Sequence, residues 1–144
     1  MRPPAALACL ALLAVAGTVA QSPALTAQDA WIRATPGSDV AAAYLTLRNT
    51  AQQPVLVIGV RTPVAAQAMI HESTLSNGQS TMRPHEPLRI EAGATVHLAP
   101  GGLHIMLHGL TRPLSPGDEV PLSLLLGGGG TLAVTARVRA LGDG

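Results

Sequence analysis

Four residues of this chain, His71, Met82, His104 and Met106, carry the side chains best suited to binding a metal ion. Two imidazole nitrogens and two thioether sulfurs form a soft, neutral donor set, which favours a late transition metal. Four neutral ligands suit a monovalent ion better than a divalent one, because divalent ions prefer harder or anionic donors. The residue types therefore predict a metal site, with one copper(I) ion per chain.

A predicted β-hairpin brings the first two of these residues together. Asn77-Gly78 is the preferred pair for a two-residue type I′ turn, and strand-like segments flank it. Counting outward from that turn places Ser73 opposite Met82. Since residues two apart on a strand share a face, His71 and Met82 should be diagonal neighbours on one side of the hairpin.

The other two residues lie on one predicted strand, in which apolar and chemically active side chains alternate. His104 and Met106 point to one side of the strand, and Leu103, Ile105 and Leu107 point to the other. The apolar side can enter a core while the His-Met side faces the hairpin or solvent. The fold then has only to bring two β edges together.

The chain that positions these residues is predicted to be all-β. Its 12 Pro and 15 Gly leave little room for an uninterrupted helix. Short alternating or β-branched runs between turn signals are typical of a single-domain sandwich or barrel. The predicted strands cover residues 31–34, 40–48, 55–61, 68–73, 95–98, 103–108, 120–126 and 132–138.

The N-terminus has the layout of a secretory signal peptide, which predicts an exported protein. Arg2 is the only charge before an apolar run over residues 5–16, and small residues precede a cleavage position after Ala20. Residues 1–20 are thus the predicted signal and residues 21–144 the β domain. Lipid attachment at Cys9 is not favoured, because no apolar segment precedes that cysteine.

Composition narrows the function of the remaining chain. Cys9 is the only cysteine, so the exported domain has no thiol and no disulfide. Its eight arginines balance eight acidic residues, and no basic patch or charge run points to nucleic acid. There is no second apolar segment to suggest a membrane span, and no nucleophile with an adjacent base to suggest an enzyme.

The spacing of the four residues resembles the signature of the PCuAC family of periplasmic copper chaperones. Ten residues separate His71 from Met82, 21 separate Met82 from His104, and one separates His104 from Met106. The resemblance runs from about residue 30 to residue 126. Further matching segments are residues 30–33, 43–49, 82–84, 100–107, 109–114 and 117–122.

This resemblance implies a cupredoxin-like Greek-key β-sandwich or barrel that binds one copper(I) ion in the periplasm. It also implies delivery of copper for the dinuclear copper centre of cytochrome c oxidase. The acceptor would then be oxidase subunit II or an assembly factor, and the protein is expected to be a monomer. His108 stands where relatives commonly carry Met, so it could be an additional ligand. Met69 shares the predicted strand face of His71, but core packing is favoured for it.

Other functions stay open at this level. Copper storage or resistance without a dedicated acceptor cannot be separated from delivery by sequence. An electron-transfer protein of the blue-copper type is disfavoured, because such a site needs a cysteine ligand. A plain β scaffold module would bind no metal at all.

Overall fold

The computed structural model describes residues 24–142, and this part of the chain contains ten β-strands. The predicted signal peptide over residues 1–20, including Cys9, lies outside the described residues. The strands are β1 (Leu25–Ala34), β2 (Val40–Asn49), β3 (Val55–Arg61), β4 (Ala65–Ser76), β5 (Gln79–Pro84), β6 (Leu88–Ile90), β7 (Thr95–Leu98), β8 (Leu103–Leu110), β9 (Glu119–Leu126) and β10 (Thr131–Arg139). The all-β prediction is confirmed. Within residues 24–142 no helix has the length and apolar character needed to cross a membrane.

The strands form one hydrogen-bonded sheet in the order β5-β4-β8-β2-β1-β10-β9-β3-β6, with β7 paired to the far end of β2. All the pairings are antiparallel except the parallel pairing of β1 with β10. The central strand β2 therefore contacts β8 through its first half and β7 through its second half. This arrangement places β4 and β8 side by side near one end of the sheet.

The apolar face of the sheet encloses a single core, to which both halves of the sheet contribute. Ile70 of β4 and Ile105 of β8 are directly paired and fully buried there. Val57, Leu122 and Leu124 enter the same core from β3 and β9. Because side chains alternate along a strand, burial of Ile70 and Ile105 turns their neighbours at 69, 71, 104 and 106 to the opposite face.

The predicted hairpin is confirmed, with the predicted register. Asn77 and Gly78 both have positive φ angles, 50° and 75°, as a type I′ turn requires. Ser76 pairs with Gln79 and Ser73 pairs with Met82 on the two strands that flank this turn. The turn sequence therefore fixes which side of β5 the Met82 side chain occupies.

The eight predicted strands are all present, and the structure adds to them. Strand β6 is only three residues long, too short to leave an alternation pattern in the sequence. Strand β1 begins at Leu25, ahead of the predicted start at residue 31. Its pairing with β2 shifts register between Gln28 and Trp31, where Asp29 has a φ of 55°. This irregularity breaks the alternation that would have revealed the early part of the strand.

Candidate metal centre

The two histidines of the sequence prediction are directly opposed on adjacent strands. His71 of β4 pairs with His104 of β8, and their ring centroids are 5.9 Å apart at an interplanar angle of 72°. The sequence predicted two edges that meet through the tertiary fold. The structure instead makes β4 and β8 hydrogen-bonded neighbours, so backbone pairing sets the separation of the two imidazoles.

The two methionines lie on the same side of the sheet as these imidazoles. Met106 is two residues from His104 on β8, and Met82 lies opposite Ser73, diagonal to His71. Met82 and Met106 line a groove of about 630 Å³ together with His104. Met82 is 55 % exposed, although methionine is usually a buried residue. We call this side of β4, β5 and β8, which carries Met69, His71, Met82, His104, Met106 and His108, the His-Met face.

A hydrogen bond to the residue that precedes β8 holds the ring of His104 in one orientation. Its side chain is only 5 % exposed, and its Nδ1 lies 3.0 Å from the carbonyl oxygen of Gly102. A carbonyl can only accept, so Nδ1 carries the proton and donates it. In a neutral imidazole this leaves the lone pair on Nε2, which is the usual arrangement in a metal-binding histidine.

The Nδ1 of His71 is buried and has no hydrogen-bond partner. Among the described residues, it is the one buried side-chain nitrogen or oxygen in this state. Burying an imidazole nitrogen without a partner costs free energy, and native proteins rarely leave such a group unsatisfied. A metal ion bound at this nitrogen would satisfy it. The unpaired Nδ1 is therefore consistent with a ligand role for His71.

Thioether ligands are needed if this face is to hold an ion. Across residues 24–142, no three side chains drawn from His, Cys, Asp and Glu converge as a metal site. The two imidazoles therefore have no carboxylate or thiol to complete their coordination. The chemistry open to this face is that of a soft ion bound by nitrogen and thioether sulfur.

A third imidazole also lies near His71. The rings of His71 and His108 have centroids 6.1 Å apart at an interplanar angle of 50°, although His108 pairs with Gln67 four residues along β4. Met69 is directly opposite Met106, so it lies on the His-Met face and not in the core as the sequence favoured, and it lines a different cavity. Of the two residues that the sequence left open, His108 is thus placed beside an imidazole of the candidate site.

The remaining histidines are occupied elsewhere. His85 Nδ1 lies 3.0 Å from a carboxylate oxygen of Glu72, and His97 Nδ1 lies 3.1 Å from the hydroxyl of Thr46. Glu72 lies next to His71 on β4, where its carboxylate could have oriented an imidazole of the site. In the structure Glu72 contacts His85, which does not belong to the predicted set.

An aromatic and cationic cluster that no sequence pattern indicated lies next to His104. The rings of Trp31 and Tyr44 are 4.6 Å apart, and the guanidinium of Arg33 lies 5.6 Å from both. Arg139 lies 4.5 Å from the ring of Trp31, and the Tyr44 ring is 6.5 Å from that of His104. Strand alternation in β2 could have placed Tyr44 on this face, but the neighbouring strands could not be known. These contacts cover one flank of His104.

The electrostatics of the face keep His71 neutral. Burial lowers the pKa of His71 below its ordinary value, and the nearby imidazoles of His104 and His108 lower it further. The Glu86 carboxylate acts in the opposite direction and is the weakest of the four influences. A neutral imidazole is the form that binds a metal, so protons compete less for His71 than for an exposed histidine.

This lowered pKa predicts a pH dependence of stability in the metal-free protein. The unfolded chain, with an ordinary histidine pKa of about 6.5, binds more protons at residue 71 than the folded chain does. The contribution of His71 to stability is therefore fully present above about pH 6.5 and is lost as the pH falls through the lower, folded pKa. We expect urea unfolding of wild type minus His71→Asn to show this slope between pH 7.5 and 5. A difference independent of pH would contradict it.

A family model and a related protein match most of the described chain. A model of the LpqE-like family matches residues 25–138. Lxx21020 of Leifsonia xyli subsp. xyli, which is named as a lipoprotein, is 37 % identical over 120 residues, covering 83 % of this chain and 72 % of the relative.

Solved structures share the fold. Copper(I)-loaded DR1885 from Deinococcus radiodurans is 35 % identical with a TM-score of 0.67, covering 85 % of this chain and 83 % of that one. The copper-bound PCuAC domain from PmoF2 has a TM-score of 0.69 at 22 % identity, covering 82 % of this chain and 94 % of the domain. At 22 % identity, the similarity to the PmoF2 domain establishes a shared fold only. The predicted fold class, a cupredoxin-like all-β domain, is confirmed.

Proposed function

The chain belongs to the LpqE-like family and has the fold of PCuAC domains, and from this we propose that it is a copper(I)-binding metallochaperone. The observation that carries the proposal is the pairing of His71 with His104 on a face that also bears Met82 and Met106. DR1885, at 35 % identity, is a relative that was solved with copper(I) bound. Copper is the cargo of this face in the proposal.

The proposed ligands are His71, Met82, His104 and Met106, around one copper(I) ion. Three features support this set: the unpartnered Nδ1 of His71, the oriented Nε2 of His104, and the groove that both methionines line. A thioether is not protonated near neutral pH and cannot form a disulfide, so it suits an oxidising compartment. Copper(I) prefers such soft donors over water and carboxylate oxygen.

The exposure of the site allows copper to be transferred to an acceptor protein. Met82, at 55 % exposed, is the most accessible of the four proposed ligands, and it is neutral. An incoming thiolate can displace it first and then replace the remaining ligands one at a time. We propose that the acceptor is an exported protein with cysteine thiols, namely subunit II of cytochrome c oxidase or an assembly factor for its dinuclear copper centre.

A protein that delivers copper to this acceptor would act outside the cytoplasm, in the periplasm. Two findings support export: the signal-peptide layout over residues 1–20, and the lipoprotein name of the related Lxx21020. The domain that carries out the proposed transfer spans residues 21–144.

X-ray absorption on copper(I)-loaded protein tests the proposed ligand set. We expect one equivalent of copper(I), with nitrogen and sulfur scatterers in equal number around the ion. All-nitrogen ligation, or no binding to the folded protein, would refute the set.

Transfer to a thiol acceptor tests the chaperone role separately. The loaded protein is mixed with oxidase subunit II domain in its reduced, metal-free state, and copper movement is followed by separation of the two proteins. Copper found on the acceptor supports delivery. Tight binding without transfer would favour storage and refute the metallochaperone role.

A further inference from the structure

His71 lies between two imidazoles at almost equal distances. Its ring centroid is 5.9 Å from that of His104 and 6.1 Å from that of His108. The three imidazoles do not surround a common point in residues 24–142, because no group of three such side chains converges there. The geometry is that of two overlapping pairs that share His71.

Each separation is compatible with a metal-bridged imidazole pair. With metal–nitrogen bonds of about 2 Å, two rings in a near-linear arrangement have centroids about 6 Å apart. Two nitrogens at such a wide angle leave space for thioether sulfurs as the further ligands of the ion, and copper(I) accepts these soft donors. Both pairs therefore have a separation at which one copper(I) ion could bridge two imidazoles.

We propose that His71 and His108 form a second position for copper(I), adjacent to the position that His71 shares with His104. This inference rests on the proposed function, since it takes copper(I) as the cargo. In a move between the two positions, the bond from copper to His104 breaks as the bond to His108 forms. The bond from copper to one nitrogen of His71 is kept while the His71 ring turns from His104 toward His108, so copper stays monovalent and no proton or electron is transferred.

Two structural differences give the second position a distinct role. His104 is 5 % exposed and its Nδ1 is held by the Gly102 carbonyl, whereas His108 is only partly buried. Met106 lies between the two histidines on the same face of β8, so its sulfur can contact the ion in both positions. The His108 position is thus the more accessible one, and it serves loading and release rather than tight retention.

Variants at the two outer histidines test the inference by equilibrium competition with the copper(I) chelator bathocuproine disulfonate. We expect His104→Ala to retain one copper(I) at the His108 position, with a loss of affinity clearly smaller than that caused by His71→Ala. Adding His108→Asn to that variant should lower the affinity at least another tenfold. His97→Asn is the matched control, because His97 is bonded to Thr46 on another strand pair.

Kinetics and spectroscopy supply readouts that are independent of affinity. In His108→Asn alone we expect chelator-driven release of copper(I) to slow several-fold, and His108→Met, which keeps a soft ligand, to restore the rate. In His104→Ala, the ¹⁵N resonances of the His108 ring should shift on addition of one equivalent of copper(I). Dispersed backbone spectra of each metal-free variant confirm that it is folded.

The outcomes separate this inference from the proposed function. If wild type binds copper(I) but the His108 resonances stay unshifted in His104→Ala, and the added His108→Asn changes nothing, the second position does not exist. If wild type binds no copper(I), the proposed function and this inference both fail. Loss of binding on His108→Asn alone would make His108 an obligatory ligand and would also overturn the two-position arrangement.

Discussion

Replacing His71 with alanine is expected to weaken copper(I) binding by more than about 100-fold, the largest effect of any single change on the His-Met face. Removing an outer partner of a metal ligand already costs 10- to 100-fold in affinity, and loss of the ligand itself costs more. His71 is also the one imidazole within about 6 Å of both His104 and His108. Its loss should therefore remove both proposed copper positions, whereas loss of His104 should leave one.

The measurement is competition with bathocuproine disulfonate, with two methionine variants for comparison. Met82→Leu should weaken binding, because Met82 lines the groove with His104 and Met106. Met69→Leu should change it little, because Met69 lines a separate cavity. Equal effects of the two methionine changes, or a His71→Ala affinity within threefold of wild type, would contradict the proposed ligand set.

Much of this face could be predicted because its determinants are local. The Asn77-Gly78 turn fixes the register of β4 against β5, and alternation fixes which side chains of β8 share a face. Both rules act over a few residues and need no knowledge of the fold. The hairpin and the pairing of Ser73 with Met82 follow from them and are confirmed by the structure.

Contacts between distant segments could not be predicted in the same way. The direct pairing of His71 with His104 depends on which strands are neighbours, and nothing within either strand specifies that choice. The proximity of His108 to His71 is still harder to predict. The two residues are not paired across the strands, and their rings come close because the side chains lean toward each other. The contacts of Tyr44 with Trp31 and Arg33 likewise require the order of β1, β2 and β8.

Asn49 shows that a polar residue can be decisive for the fold without any part in the site. It is fully buried at the end of β2, and its side-chain NH₂ donates to the carbonyls of Gln53 and Ile90, at 2.8 and 3.1 Å. Its side-chain oxygen accepts from the N–H of Ala51, at 2.9 Å. One amide thus joins the loop after β2 to the end of β6.

Asn49→Ala is therefore expected to lower the free energy of unfolding by about 3 kcal/mol, because each buried group left unsatisfied costs about 1–3 kcal/mol. Urea unfolding followed by the fluorescence of Trp31, the one tryptophan of the chain, measures this loss. Thr50→Val is the matched control: its exposed hydroxyl donates to the Ala24 carbonyl at 3.0 Å, and its removal should cost under about 1 kcal/mol.

A cost for Asn49→Ala no larger than that of the control would show that the loop and β6 are held by backbone contacts alone.

Copper(I) affinity provides the second half of the test. Asn49 lies at the opposite end of β2 from Val40 and Ala42, the residues that pair with His108 and Met106. The folded fraction of Asn49→Ala should therefore bind copper(I) as wild type does. A large loss of affinity would mean that the end of β2 governs the alignment of β8, and hence the spacing of the imidazoles.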